Sequence, residues 1–162
     1  MSDFTHLDEA GRARMVDVSA KQPTPRIAVA TGSIRMSSST LDAIRSNSLG
    51  KGEVISVARI AGIMAAKKTS EIIPLCHPLA LTDIAIDFTF DDALPGIRAE
   101  AHAKTLDRTG VEMEALTAVS AALLTVYDMA KGIDRGMTIT SVALLEKSGG
   151  RSGDWKRGDE SR

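Results

Sequence analysis

The residues best suited to acid–base chemistry stand near the two ends of one predicted helix. Glu112 and Glu114 lie at its start, whereas Asp128 and Lys131 lie near its end at a spacing that makes them neighbours on one face. At ~1.5 Å per residue, Glu112 and Asp128 are roughly 24 Å apart. One small-molecule site can therefore use both ends only if two copies of the chain meet; otherwise only one end is functional.

Both groups also have a purely structural explanation. Asp128 and Lys131 can form an ordinary surface ion pair, worth well under ~1 kcal/mol. Thr109 and Glu112 fit the Thr-x-x-Glu pattern of a capping box, in which the two side chains satisfy backbone amides at a helix start. From the pattern alone, these structural explanations are favoured.

A second candidate is the connector PLCHPLAL, residues 74–81, which holds the only cysteine of the chain beside one of its three histidines. Pro74 and Pro78 restrict the backbone around Cys76 and His77 and remove two amide donors, which predicts an ordered connector between a helix and a strand. Connectors of this kind commonly carry function. A half-buried thiol beside a histidine bonded to nearby backbone is the structural alternative.

Basic residues recur at the ends of predicted elements, where they are candidates for binding an anionic ligand. Helix C-termini favour cations in any case, which explains Lys67 and Lys131 without function. The segment KSGGRSG does not follow the order of a phosphate loop and leads into no helix, although its backbone amides could still bind an anion. The whole set is Lys51, Lys67, Lys68, Arg108, Lys131, Lys147 and Arg151.

The composition limits the class of protein. A chain of 162 residues, 43% hydrophobic and 25% charged, fits one globular domain over 1–162. Its net charge of −1 argues against sequence-independent nucleic-acid binding. We find no apolar leader and no stretch of ~20 apolar residues, so we expect a cytoplasmic protein that does not span a membrane. A single cysteine excludes an internal disulfide, and the histidine and cysteine spacing argues against a structural metal site.

The elements that must position these residues follow in the order strand, helices, strand, strand, helix, strand. The first strand, in 26–36, is expected to bulge at Gly32, where the apolar residues shift from odd-numbered to even-numbered positions. The helix in 51–74 is expected to be buried on most sides, with a strip of small residues that another backbone could approach. The small-residue strip of this helix and the alanines of the strand in 97–105 both predict a packing partner, which favours assembly of several copies of the chain.

This order predicts an α+β fold, a ferredoxin-like antiparallel sheet with helices packed on one face. The prolines of KQPTPR predict an irregular arm over 1–25. The glycine-rich, charged segment 148–162 predicts a partly flexible tail.

Five segments together resemble the cyclic pyranopterin monophosphate synthase family of molybdenum cofactor biosynthesis. The resemblance implies that 3′,8-cyclo-7,8-dihydro-GTP is rearranged to cyclic pyranopterin monophosphate with release of pyrophosphate. It also implies a homohexamer, a trimer of dimers, with sites at subunit interfaces. It implies no cofactor and leaves open whether Mg²⁺ accompanies the triphosphate. The segments are MVDVSAK (15–21), KGEVISVARIAGIMAAKKTSEIIPLCHPL (51–79), TGVEMEALTA (109–118), YDMAKGIDRGM (127–137) and LLEKSGGRSGDW (144–155).

The site residues follow from the resemblance, motif by motif. It implies Lys51, Asp128 and Lys131 as catalytic residues and Lys67 and Arg26 as phosphate contacts. We assign Lys51 as acid and Lys131 as base, oriented by Asp128, with the reverse assignment left open. The substrate pocket is implied to comprise Leu75, Cys76, His77, Glu112, Met113 and Glu114.

Three positions depart from the family pattern while keeping their charge. Arg151 and Arg108 stand where lysine is usual or frequent, and Glu53 replaces a common aspartate. Because arginine and lysine bind anions with different geometry, the phosphate contacts at Arg151 and Arg108 stay open.

Two other functions compete with the enzyme. A non-catalytic nucleotide-binding oligomer on the same fold would use the charged residues as contacts only. An RNA-binding module is disfavoured, because aromatic residues make up 3% of the chain and none lies on the outward face of the predicted hairpin.

Overall fold

The computed structural model describes residues 10–50 and 52–158. The predicted order of elements is confirmed, with one short strand added near the C-terminus. The elements are β1 (Thr24–Arg35), α1 (Ser38–Arg45), α2 (Val54–Ala66), α3 (Thr69–Ile72), β2 (Leu81–Asp91), β3 (Gly96–Asp107), α4 (Glu112–Ala130), β4 (Thr138–Ser148) and β5 (Trp155–Lys156).

The strands form one antiparallel sheet in the order β2-β3-β1-β4-β5. α4 packs on the central strands and α2 packs beside α4, towards β2. This is the predicted ferredoxin-like arrangement of a sheet with its helices on one face.

The β2–β3 hairpin follows the predicted alternation. Ile86 of β2 and the β3 residues Ala99, Ala101 and Ala103 are buried beneath the helices, while Asp87 faces outward. Small side chains on β3 let α4 lie close to the sheet. The packing partner that the alanines predicted is therefore a helix of the same chain.

β1 departs from its prediction, because its alternation does not change phase. The helix-facing residues are Ala28, Ala30, Gly32 and Ile34, and the larger Ile27 is exposed on the other face. A Cβ at Gly32 would lie 2.7 Å from Val119 Cγ1, so α4 requires small residues here. The pairing of β1 with β4 does shift register between Thr31 and Ser33, at the predicted position of Gly32, and again between Val29 and Ala30. β1 pairs with β3 without interruption, and a further shift lies between Leu81 and Asp83 of β2.

α2 is buried on one side, and the prediction of burial on most sides was wrong. Its buried residues are Val54, Ala58, Gly62 and Ala66, which pack on α4. A Cβ at Gly62 would lie 2.8 Å from the carbonyl oxygen of Ala118, so the small-residue strip receives α4 of the same chain. The large apolar residues Val57, Ile60 and Met64 lie exposed on the outer face instead.

α4 is the central helix of the core, with Val119, Leu123 and Val126 fully buried. Its first residue follows an N-cap at Val111 with no side-chain cap hydrogen bond, so the predicted capping box does not form. By length and mean hydropathy alone, α4 meets the test for a membrane-spanning helix. Half of that stretch is buried inside the molecule, as in a core helix.

The loop after α4 is tied to the start of α1. Asp134 accepts a hydrogen bond from the backbone N–H of Ser37 at 2.9 Å and one from the Thr40 hydroxyl at 3.3 Å. The Ser37 N–H lowers the pKa of Asp134, since it stabilises the carboxylate. Asp134 therefore acts as a structural link.

Candidate active site

A half-open cleft of about 400 Å³ lies where the chain enters α4. Three stretches form its walls: the irregular arm, the connector between α3 and β2, and the first turn of α4. Six of the predicted pocket residues line this cleft together. The complete lining is Val16, Val18, Lys21, Leu75, Cys76, His77, Leu79, Thr109, Gly110, Glu112, Met113 and Glu114.

His77 fixes the arm to the connector. Its Nε2 lies 2.8 Å from the carbonyl oxygen of Val16. Because a carbonyl oxygen only accepts, Nε2 is the donor in this hydrogen bond, which leaves Nδ1 facing away from Val16. The connector itself begins with a turn, in which the Cys76 N–H donates to the Ile73 carbonyl at 3.1 Å. The order predicted for this connector thus comes from a turn and from a hydrogen bond between the connector and the arm of the same chain.

The first turn of α4 brings two carboxylates into the cleft. Glu112 Oε1 lies 3.8 Å from Lys147 Nζ at the end of β4, and the Lys147 ammonium also donates to the Ser152 hydroxyl. The positive end of the helix dipole favours both carboxylates. Lys147 therefore connects the glycine-rich segment after β4 with the start of α4.

Glu114 is the most buried titratable group of the cleft, with 4% of its surface exposed. Burial raises its pKa to about 7, its own backbone N–H works against that shift, and the charge of Glu112 adds to it. Burial also raises the pKa of the Cys76 thiol, helped by the charge of Glu114. At neutral pH the cleft therefore holds a carboxyl group able to give or take a proton beside a neutral thiol.

A second cavity of about 410 Å³ adjoins the cleft, with Lys21 lining both. Arg26 donates from Nη1 to the Gly149 carbonyl at 3.3 Å and from Nη2 to the Arg108 carbonyl at 3.5 Å. Its Nε and the Thr24 hydroxyl are buried without a hydrogen-bond partner. A buried donor without a hydrogen-bond partner destabilises the folded protein unless a ligand or a water molecule accepts its hydrogen bond. The lining is Ala20, Lys21, Gln22, Thr24, Arg26, Gly150 and Arg151.

The chain does not bring its other predicted site residues to the cleft. Asp128 accepts a hydrogen bond from Lys131 at 2.6 Å, and both lie exposed at the far end of α4. Lys67 is the exposed C-cap residue of α2 and lines neither cavity. Lys51 lies outside the described residues.

The structure adds residues that the sequence did not assign to the substrate pocket. Lys21, Thr109 and Gly110 line the cleft, and Lys147 contacts Glu112. Lys147 was predicted only as one of several basic candidates for binding an anionic ligand. Lys21, Thr109 and Gly110 belong to the quoted motifs MVDVSAK and TGVEMEALTA, which was the available signal. Only the folded arm shows that Lys21 joins the two cavities.

Within 10–50 and 52–158, no three His, Cys, Asp or Glu side chains cluster in a way that could hold a metal ion. The fold and the two cavities define an α+β protein of the ferredoxin-like type with a charged site at the start of its central helix. Residues 15–150 match the MoaC family, and since this match covers most of the chain, the chain belongs to that family. The family is that of cyclic pyranopterin monophosphate synthase, so the motif resemblance is confirmed. Its role lies in the biosynthesis of the molybdenum cofactor.

Proposed function

We propose that the chain is a lyase that converts 3′,8-cyclo-7,8-dihydro-GTP into cyclic pyranopterin monophosphate and pyrophosphate. The observation that carries this proposal is the pairing of two cavities. One is a cleft with carboxylates and an imidazole, and the other is lined by arginine and lysine. A nucleotide derivative needs both environments, one for the polar edge of its base and one for its phosphates.

The phosphate end of the proposed substrate fits the cavity around Arg26. The guanidinium of Arg26 and the side chains of Lys21 and Arg151 supply cations despite the net charge of −1. The unpartnered Nε of Arg26 and the Thr24 hydroxyl are donors that a phosphate oxygen would satisfy. Lys67 remains a proposed phosphate contact, but it would have to act from another copy or after movement, because it lines neither cavity.

The nucleobase end of the proposed substrate fits the cleft around Glu114. A carboxyl group with a pKa of about 7 can accept a hydrogen bond from the edge of a pterin or purine, or donate one to it. His77 offers Nδ1 because Nε2 is held by Val16. Leu75 and Met113 provide the apolar walls.

The rearrangement moves protons at several steps, so it needs an acid and a base. We assign Lys51 as acid and Lys131 as base, with the 2.6 Å contact to Asp128 holding Lys131 in place. Since Asp128 lies roughly 24 Å along α4 from Glu112, these groups act on a substrate held by another copy. We accordingly propose a homohexamer built as a trimer of dimers, acting in the cytoplasm without a protein-bound cofactor.

The reaction is tested by incubating the purified protein with 3′,8-cyclo-7,8-dihydro-GTP and measuring pyrophosphate. We expect release by the wild type and a loss of at least ~100-fold in Lys51→Ala and in Lys131→Ala, as for removal of a general acid or base. Lys68→Ala, on an exposed lysine that lines neither cavity, is the matched control and should keep wild-type turnover.

Gel filtration of each variant checks that assembly persists. Tight substrate binding by the wild type without pyrophosphate release would instead identify a non-catalytic nucleotide-binding assembly. Substantial turnover in either lysine variant would remove that lysine from the mechanism.

A further inference from the structure

The turn that follows α4 lies on the surface, with one partly buried side chain. It spans 131–136, between Ala130 and Met137, which are both buried in the core. Of its six residues only Asp134 is half-buried, and the other five are exposed. A Cβ at Gly132 would have nothing within 4 Å. The position of this turn therefore depends on the contacts of Asp134.

We propose that Asp134 is a positioning residue for the reaction: by fixing this turn to the start of α1, its carboxylate sets the direction in which Lys131 leaves α4. The inference rests on the proposed function, in which Lys131 acts as the base. Lys131 is the C-cap residue of α4, and its N–H donates to the Tyr127 carbonyl at 2.8 Å. A C-cap residue belongs half to its helix and half to the chain that follows. α4 thus holds Lys131 from one side, and the turn holds it from the other.

Both oxygens of the Asp134 carboxylate take part in this link. Oδ2 accepts a hydrogen bond from the backbone N–H of Ser37 at 2.9 Å and one from the Thr40 hydroxyl at 3.3 Å. Oδ1 accepts one from the Gly136 N–H at 2.9 Å, inside the turn. One carboxylate therefore connects the turn to α1 and closes the turn on itself.

The start of α1 is a firm anchor for this link. Ser37 is the N-cap of α1, and its side chain accepts a hydrogen bond from the Thr40 N–H. Thr40 is 1% exposed and Leu41 2%. Met36, the residue before the cap, donates from its N–H to the Pro95 carbonyl at 2.9 Å. The positive end of the α1 dipole also favours a carboxylate at this place.

A second hydrogen bond holds the turn from the side of α4. The Tyr127 hydroxyl donates to the carbonyl of Arg135, the residue after Asp134, at 3.2 Å. The ring of Tyr127 is partly buried and packs against the core. Two elements of the core, α1 and α4, therefore fix neighbouring residues of the same exposed turn.

The link also defines the ion pair of Lys131. Asp128 and Asp134 each lie three residues from Lys131, one before it and one after it. The donors of α1 and Gly136 occupy the Asp134 carboxylate, and Lys131 pairs with Asp128. A turn released from α1 would let the Lys131 ammonium reach Asp134 instead, away from the position that the reaction requires.

Asp134→Asn tests the link, because the amide has the size of the carboxylate but carries a donor on one side. Its NH₂ group must face either Ser37 or Gly136, both of which donate, so one of the two connections is lost. Hydrogen exchange followed by mass spectrometry should show the amides of 131–136 exchanging ~10-fold faster than in the wild type. Ile44→Val, which removes one buried carbon from the last turn of α1, is the control and should leave this exchange unchanged.

Steady-state kinetics with 3′,8-cyclo-7,8-dihydro-GTP tests the effect on Lys131. We expect the kcat of Asp134→Asn to fall ~10–100-fold with KM within ~two-fold of the wild type, because a displaced base slows the chemical steps while the two cavities keep their contacts with the substrate. Tyr127→Phe, which removes the second hydrogen bond and keeps the ring, should show the same pattern at smaller size. Ile44→Val should keep the wild-type kcat.

Faster exchange with an unchanged kcat would overturn the positioning role, and so would a lower kcat without faster exchange. An equal loss of kcat in Ile44→Val would assign the effect to stability and overturn it as well. A wild-type protein that releases no pyrophosphate would overturn the proposed function and with it the role of Asp134 in the reaction. Faster exchange in Asp134→Asn would then still show that the carboxylate holds the turn.

Discussion

Glu114 shows how a single residue is set apart from its neighbours by burial. It shares the first turn of α4 with Glu112, whose carboxylate lies near Lys147 and is partly exposed. Glu114 is instead enclosed, and burial raises its pKa to about 7. The same turn therefore presents one carboxylate paired with a cation and one carboxyl group that titrates near neutral pH.

Because the pKa of Glu114 is raised, its effect on stability has a defined sign. The folded state keeps a proton that the unfolded chain releases between pH 4.5 and about 7. We expect the free energy of unfolding to fall as pH rises through this window, by up to ~3 kcal/mol, and to level off above it. Urea unfolding curves at a series of pH values measure this slope.

Glu114→Gln should abolish the slope and stabilise the protein above pH 7, because no buried carboxylate then has to ionise. Glu112→Gln, in the same turn but more exposed, should leave most of the slope in place. An equal slope in wild type and Glu114→Gln would show that Glu114 does not titrate in this window.

The packing of α2 on α4 is the contact between elements that is most sensitive to size. Gly62→Ala should destabilise the protein by ~1–3 kcal/mol, although alanine favours helices, because the added methyl group would overlap Ile86 Cδ1 and lie 2.8 Å from the Ala118 carbonyl oxygen. The backbone carbonyl cannot move away without disturbing α4. Thermal or urea unfolding measures the change.

Gly132→Ala is the matched control for Gly62→Ala. Nothing lies within 4 Å of a Cβ at Gly132, in the turn that follows α4. Its free energy of unfolding should stay at the wild-type value or rise slightly. If both variants keep wild-type stability, the close contact between α2 and α4 is less tight than the structure indicates.

At the scale of the whole molecule, activity should depend on the concentration of the chain. Asp128 and Lys131 lie roughly 24 Å from the cleft of their own chain, so under the proposed catalytic roles of these two residues an isolated subunit lacks a complete site. We expect turnover per chain to fall on dilution in parallel with the loss of dimers seen by analytical ultracentrifugation. An inert carrier protein controls for losses on surfaces. Undiminished turnover by isolated subunits would contradict the shared site.

Much of the site was predictable from local sequence. Cys76, His77, Glu112 and Glu114 belong to two short segments, and each segment folds as one unit, a connector and a helical turn. The β2–β3 hairpin followed its predicted alternation because the apolar residues of β3 alternate strictly with polar or charged residues, which mark the outward face. Where apolar residues lie on more than one face, as on β1 and α2, the same reasoning did not identify the buried face, because an apolar pattern does not show which side needs close backbone contact.

The sequence alone determined the order of elements, the charged ends of α4 and the family to which the chain belongs, since all three depend on residue type and spacing along the chain. The tertiary structure decided which apolar residues are buried and which remain exposed. It buried the alanines and glycines against the chain's own helices and left Val57, Ile60 and Met64 outside. It also joined Lys21, Arg26 and Glu114 around two adjacent cavities. These outcomes depend on distances between segments far apart in sequence, which are set only when the helices pack on the sheet.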